Sequence, residues 1–250
     1  MQAAVAAEEE EGLAARRSLL LAWRLIRETL SRSLPLSLAL ALPFVAFDLA
    51  ADGSALTDLE RYQLAGVLQL FIGLAGTLAL ARLFLGAARR TPFTLGQALL
   101  FAVRRWPTGV AASLFAGLVI GIGVLALVIP GVIAALTFSL MTPLVAATEL
   151  DPNQVLRWSK SLTYGDRVGL LKVFAAALLI SQPPALLWGL LPPGTGALHV
   201  AISLASEVLA SLGDGFLVAV QVACFHQLLQ GRGAALGLEK QLRRAPSIIL

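Results

Sequence analysis

Apolar residues in this chain come in long blocks, with the charged residues gathered between them. Two blocks, Val110 to Ile129 and Val132 to Thr148, hold no charged residue. Each is about long enough to cross a hydrocarbon core of roughly 30 Å at 1.5 Å per residue. Pro130-Gly131 separates them. Proline lacks an amide hydrogen and glycine tolerates positive φ, so the pair predicts a tight turn and the blocks a transmembrane hairpin.

The same pattern predicts further spans over Leu34 to Ala50, Gln63 to Leu83, Val168 to about Leu191 and Gly213 to Gln230. Pro43 interrupts the first of these and Pro183-Pro184 the third. The third span overall begins after Pro107, and 197–212 reads either as an interfacial helix or as an extension of the last span. Arg82 is expected to snorkel at the inner end of its span. The expected fold class is all-α: a polytopic transmembrane helix bundle of about six spans, with interfacial amphipathic helices on the cytoplasmic side.

Three segments carry that amphipathic signal. Between Leu13 and Arg32, Leu19, Trp23, Ile26 and Leu30 share one helical face, opposite Arg17, Arg24, Arg27 and Glu28. Such a helix lies in the interface or docks on the bundle; in the interface its bases meet anionic headgroups. Thr94 and Gln97 have capping-box spacing ahead of a short helix to Arg105. Asp151, Pro152 and Gln154 make a stronger start signal, and Gly165 suits the stop. The expected organisation is therefore a tail and amphipathic helix over 1–32, a membrane domain over 33–230, and a basic tail over 231–250.

Composition supports a membrane class. Hydrophobic residues make up 58% and charged residues 14% of the chain, against about a quarter charged in soluble domains. No hydrophilic block is long enough for a soluble catalytic domain. The acidic run Glu8 to Glu11 is opposite in charge to the basic start of a secretory signal, so insertion is expected to depend on the internal helices. Of the nineteen Lys and Arg residues, all but Arg61 fall on one side when both ends are cytoplasmic. The positive-inside rule then orients the chain with both termini cytoplasmic. Bases scattered between apolar runs speak for loop charges and against a nucleic-acid partner.

The stretch from Gly121 to Asp166 carries a recognisable pattern. It comprises Gly121 and Gly123, Ile129-Pro130-Gly131, Pro143, Glu149, and Ser159-x-x-Leu162-Thr163-x-Gly165. It resembles a bacterial family of six-helix membrane proteins related to the membrane domain of some glycerophosphoryl diester phosphodiesterases. The resemblance covers about forty-five residues and implies a fold and a membrane location, with no reaction. Phe225-His226-Gln227-Leu228 stands where the family usually has tyrosine followed by Leu-Arg.

Candidate chemistry is sparse. With two histidines and the single Cys224, no catalytic set and no cofactor or metal cage can be assembled. Ionisable groups at membrane depth remain, and Asp214 comes out about 24 Å from the inner boundary. Glu207, at about 35 Å, falls beyond the core. Gln69, Thr137, Ser181 and Gln182 lie about 7 to 10 Å below the outer boundary by the same count. They form either a polar layer around Asp214 that binds a ligand or a set of interhelical hydrogen bonds. Gly117 and Gly121 permit close helix contact, and packing within the bundle is the expected use. The expected function is a non-catalytic scaffold, accessory subunit or envelope-maintenance factor. Its partners would be the bilayer, anionic headgroups, and another membrane protein or a second copy. The alternative is a small-solute or lipid transporter using the Asp214 layer.

Overall fold

The computed structural model describes residues 15–52, 57–181 and 197–236. They form helices α1 (Ala15–Asp52), α2 (Asp58–Leu68), α3 (Leu74–Ala88), α4 (Leu95–Ala126), α5 (Val128–Phe138), α6 (Met141–Ala147), α7 (Pro152–Thr163), α8 (Arg167–Ser181) and α9 (Ala197–Leu236), with a π-turn at Gln69–Gly73 joining α2 to α3. The fold is an all-α bundle. Five stretches are long and apolar enough to cross a membrane: Ala15–Phe47, Leu59–Ala88, Leu95–Ala126, Val128–Ala147 and Leu204–Gly231. The expected fifth span is described as far as Ser181; its Pro183-Pro184 break lies outside the described residues.

Several boundaries differ from the sequence reading. The helix predicted to end at Arg32 continues as α1 through Pro35 and Pro43. The helix predicted to end at Arg105 continues through Pro107 as α4. In lipid, neighbouring helices can satisfy the carbonyl that an interior proline leaves free, so a proline need not end a span. Residues 197–212 belong to α9 and extend the last span.

The buried face of α1 is also rotated from expectation. Ser18, Ala22, Leu25, Thr29, Ser33 and Leu36 are buried, while Leu20, Trp23 and Leu30 are exposed. Small and hydroxyl residues let α1 lie close against α9, where Ala219, Val222 and Ala223 are fully buried. Ser18 Oγ donates to Gln227 Oε1 at 3.1 Å across this pair.

The α4–α5 hairpin turns on one residue. Leu127 is extended, with φ −168° and ψ 142°, and α5 begins at Val128. Pro130 therefore sits in the first helical turn, where its missing amide leaves no bond broken. Gly131 is not a positive-φ residue; among the described residues that role falls to Gly165 at φ 90° and Arg90 at φ 58°. Gly131 instead permits backbone contact. A Cβ there would lie 2.3 Å from Val124 Cγ2, and one on Gly123 would lie 2.9 Å from Gly131.

The break between α5 and α6 follows from Pro143, which has no amide to bond the Ser139 carbonyl and whose ring crowds it. The Thr137 carbonyl at this break accepts from Ser159 Oγ at 2.8 Å and Thr163 Oγ1 at 3.3 Å. These hydroxyls lie on the buried face of α7 with Val155, Leu156 and Leu162. The Thr94–Gln97 and Asp151–Gln154 capping boxes both form as read.

Packing is dense at one end of the bundle and loose at the other. Leu78 to Gly86 of α3 is buried without interruption, as are Thr142 to Ala147 and Val218 to Val220. Towards the other end, Leu64, Val67, Leu118, Ile122 and Leu212 are exposed.

Candidate functional sites within the bundle

The structure distributes the predicted polar layer over three places. Thr137 is held at the α5–α6 break, and its hydroxyl donates to Ile133 O at 2.7 Å. Gln69 opens the π-turn on the far side of α3, with its side chain over Gly73. Ser181 is buried against α9: a Cβ on Gly213 would lie 3.1 Å from the Ser181 carbonyl. Asp214 follows Gly213, and the residue is partly exposed at the bundle surface. Of the five residues, Ser181 and Asp214 are brought to one region. Gln182 lies outside the described residues.

Beside Ser181 runs a groove of about 710 Å³ between α1, α8 and α9. Leu19, Trp23 and Ile26 line one side, with Ser181, Leu212 and Phe216 on the other. Leu19, Trp23 and Ile26, from the stripe read as interfacial or docking, form one wall of this groove, and Leu19 and Ile26 also pack against the core.

A second feature is the face shared by α2, the π-turn and α4. Gly109 packs on Leu74 and Leu78, its added Cβ meeting Leu78 Cδ1 at 3.0 Å. From that contact the helices diverge. Gly66, Gln69, Thr77 and Ser113 line a cleft of about 290 Å³. Gly66, Gly117 and Gly121 have nothing within 4 Å of an added Cβ. The G-x-x-x-G therefore faces outward rather than into its own bundle. Thr77 Oγ1 donates to Gly73 O at 2.7 Å, and Trp106 Nε1 to Leu70 O at 3.4 Å. These bonds use carbonyls at the π-turn, where the extra residue disturbs the regular ladder. The Gln69 amide is exposed and has no hydrogen bond among the described residues.

Arg82 was read as a snorkelling cation and is instead buried, 5% exposed. Its guanidinium lies between the rings of Phe93 and Phe101, 4.2 and 4.3 Å from their centroids. Nη1 donates to Ala146 O at 3.0 Å. No spacing rule brings Phe93 and Phe101 to Arg82, so this cage was invisible in sequence. Arg89, just beyond the span, has its pKa lowered by burial.

Arg105 donates to Leu150 O and lies within electrostatic reach of Glu149 and Asp151. The signature residue Glu149 thus belongs to the contact between α4 and the start of α7. Among the described residues no three His, Cys, Asp or Glu side chains converge as a metal site. Comparison with protein-family models, curated proteins and solved structures finds no match.

Proposed function

We propose that this chain is a non-catalytic protein of a bacterial cytoplasmic membrane, with both termini cytoplasmic. In this reading it acts as a scaffold, accessory subunit or envelope-maintenance factor through lipid and protein contacts. The observation that carries the subunit reading is Gln69, an exposed amide within an apolar span. A polar group in hydrocarbon costs several kcal/mol, of order 2–7, unless it is hydrogen-bonded. A partner helix seated between α2 and α4 would supply that bond, and Gly66, Ser113, Gly117 and Gly121 would let it approach closely. The Gly121 to Asp166 pattern is compatible with kinship to the six-helix family, since its Pro143, Ser159 and Thr163 act as one folding unit.

Native mass spectrometry of gently extracted protein tests the reading. A stoichiometric partner or a second copy supports it; a monomer under conditions that preserve known membrane complexes counts against it.

The second reading, a small-solute or lipid carrier, draws support from the groove beside Ser181 and Gly213. Replacing Asp214 by Asn and by Leu separates the two. Wild-type behaviour with Leu would remove the carrier reading.

A further inference from the structure

Among the described residues, the groove between α1, α8 and α9 has one cation at its rim, Arg16. Arg16 stands in the first turn of α1 and is exposed, with no ion pair among the described residues. Two contacts give the relative direction of α1 and α9. Ser18 bonds Gln227, and an added Cβ on Gly215 would lie 3.7 Å from Ser37 Oγ. The helices are therefore antiparallel, and Arg16 lies towards the Gln227 end of the pair. Along α1 the groove is lined from Arg16 to Ile26, about 15 Å, and along α9 from Leu209 to Phe216, about 10 Å.

Spread over about 15 Å or more, a volume of 710 Å³ gives a mean cross-section of at most about 47 Å². A helix with side chains is about 10–12 Å across and would need about twice that area. A hydrocarbon chain is the occupant whose width fits. Besides Arg16, Ser181 and the Trp23 indole N–H, the described lining side chains are apolar; Leu20 and Leu209 continue that wall.

We propose that this groove holds one acyl chain of an anionic phospholipid, with the headgroup phosphate on the Arg16 guanidinium. The apolar walls select a chain, and the cation at one end selects the charge of the headgroup. This site is separate from the α2–α4 face, so either assignment can fail without the other.

The test uses the full chain, stripped of lipid in detergent and titrated by native mass spectrometry. The probes are phosphatidylglycerol and phosphatidylcholine with the same acyl chains. One Arg near the surface contributes about 1 kcal/mol to anionic lipid binding, so phosphatidylglycerol should bind about fivefold tighter. Arg16→Gln should bring both lipids to the same affinity. Arg17→Gln, one residue along and exposed but outside the groove lining, should keep the preference. Leu20→Trp, at a lining position 58% exposed, should fill the groove and weaken both lipids alike. Equal loss of preference in Arg16→Gln and Arg17→Gln would reduce the effect to general surface charge and overturn the site. So would unchanged binding in Leu20→Trp.

Discussion

Ser159 Oγ donates to the Thr137 carbonyl at 2.8 Å, twenty-two residues earlier in the chain, where the span is broken ahead of Pro143. Thr163 Oγ1 reaches the same oxygen at 3.3 Å. One helix thus carries the hydroxyl that satisfies a carbonyl exposed by the break in another, and a second hydroxyl within reach of it whose nearer acceptor is the Ser159 carbonyl at 2.9 Å. In a membrane interior there is no water to do so.

Removing those hydroxyls should destabilise the bundle unequally. Ser159→Ala is expected to cost about 1 kcal/mol, because Thr163 can still serve the carbonyl. The Ser159→Ala, Thr163→Val double variant should cost more than the two singles together, since it leaves a buried acceptor unpaired at about 1–3 kcal/mol. Thermal unfolding in detergent measures this; additive shifts would indicate independent roles.

Arg82 should be irreplaceable by lysine. A guanidinium stacks flat between two rings, whereas an ammonium cannot fill that slot and still reach the Ala146 carbonyl. Arg82→Lys is expected to lower stability by about 2 kcal/mol, and Phe101→Leu by about 1 kcal/mol. Membrane yield and unfolding midpoint give the readout.

Arg90 ends α3 in the left-handed region at φ 58°. Its amide bonds Ala87 O at 3.1 Å and the Thr91 amide bonds Gly86 O at 2.9 Å, the pattern of a Schellman cap. Such a position favours glycine by about 1 kcal/mol. Arg90→Gly should therefore raise the unfolding midpoint by about 2–4 °C.

The glycines of α4 and α5 should respond in opposite ways. Gly131→Ala forces a Cβ into Val124 and should weaken the hairpin. Gly117→Ala meets nothing within 4 Å and should stabilise the isolated chain by about 0.5–1 kcal/mol. Unfolding measurements on the two variants should move in opposite directions.

The span pattern was legible because a long apolar block between charged segments already sets a membrane crossing. Capping at Thr94 and Asp151 was legible because it is local. What sequence could not show depends on contacts between distant segments. The proline positions suggested breaks at Pro43 and Pro107, but neighbouring helices decide whether such a break occurs. The face of α1 was misread because the large residues Trp23 and Leu30 point outward while Ser18 and Ala22 pack against α9. Depth along each span placed Gln69 and Asp214 in one layer, but depth carries no information about rotation around the bundle. The π-turn at Gln69 leaves no signal in residue type.

The subunit reading stands or falls on what covers the α2–α4 face in the native membrane. Cys224 is buried, so replacing it by Ala gives a background for single cysteines at Gly66, Gly117 and, as a control within the core, Ala112. With a bifunctional thiol-to-amine or thiol-to-thiol reagent in intact membranes, Gly66→Cys and Gly117→Cys should give one discrete cross-linked product. Its mass would identify a second copy or another membrane protein. Ala112→Cys should give none. If the two open-face positions yield only the monomer while fully reacting with a lipid-soluble thiol label, the face is covered by lipid alone and the subunit reading is contradicted.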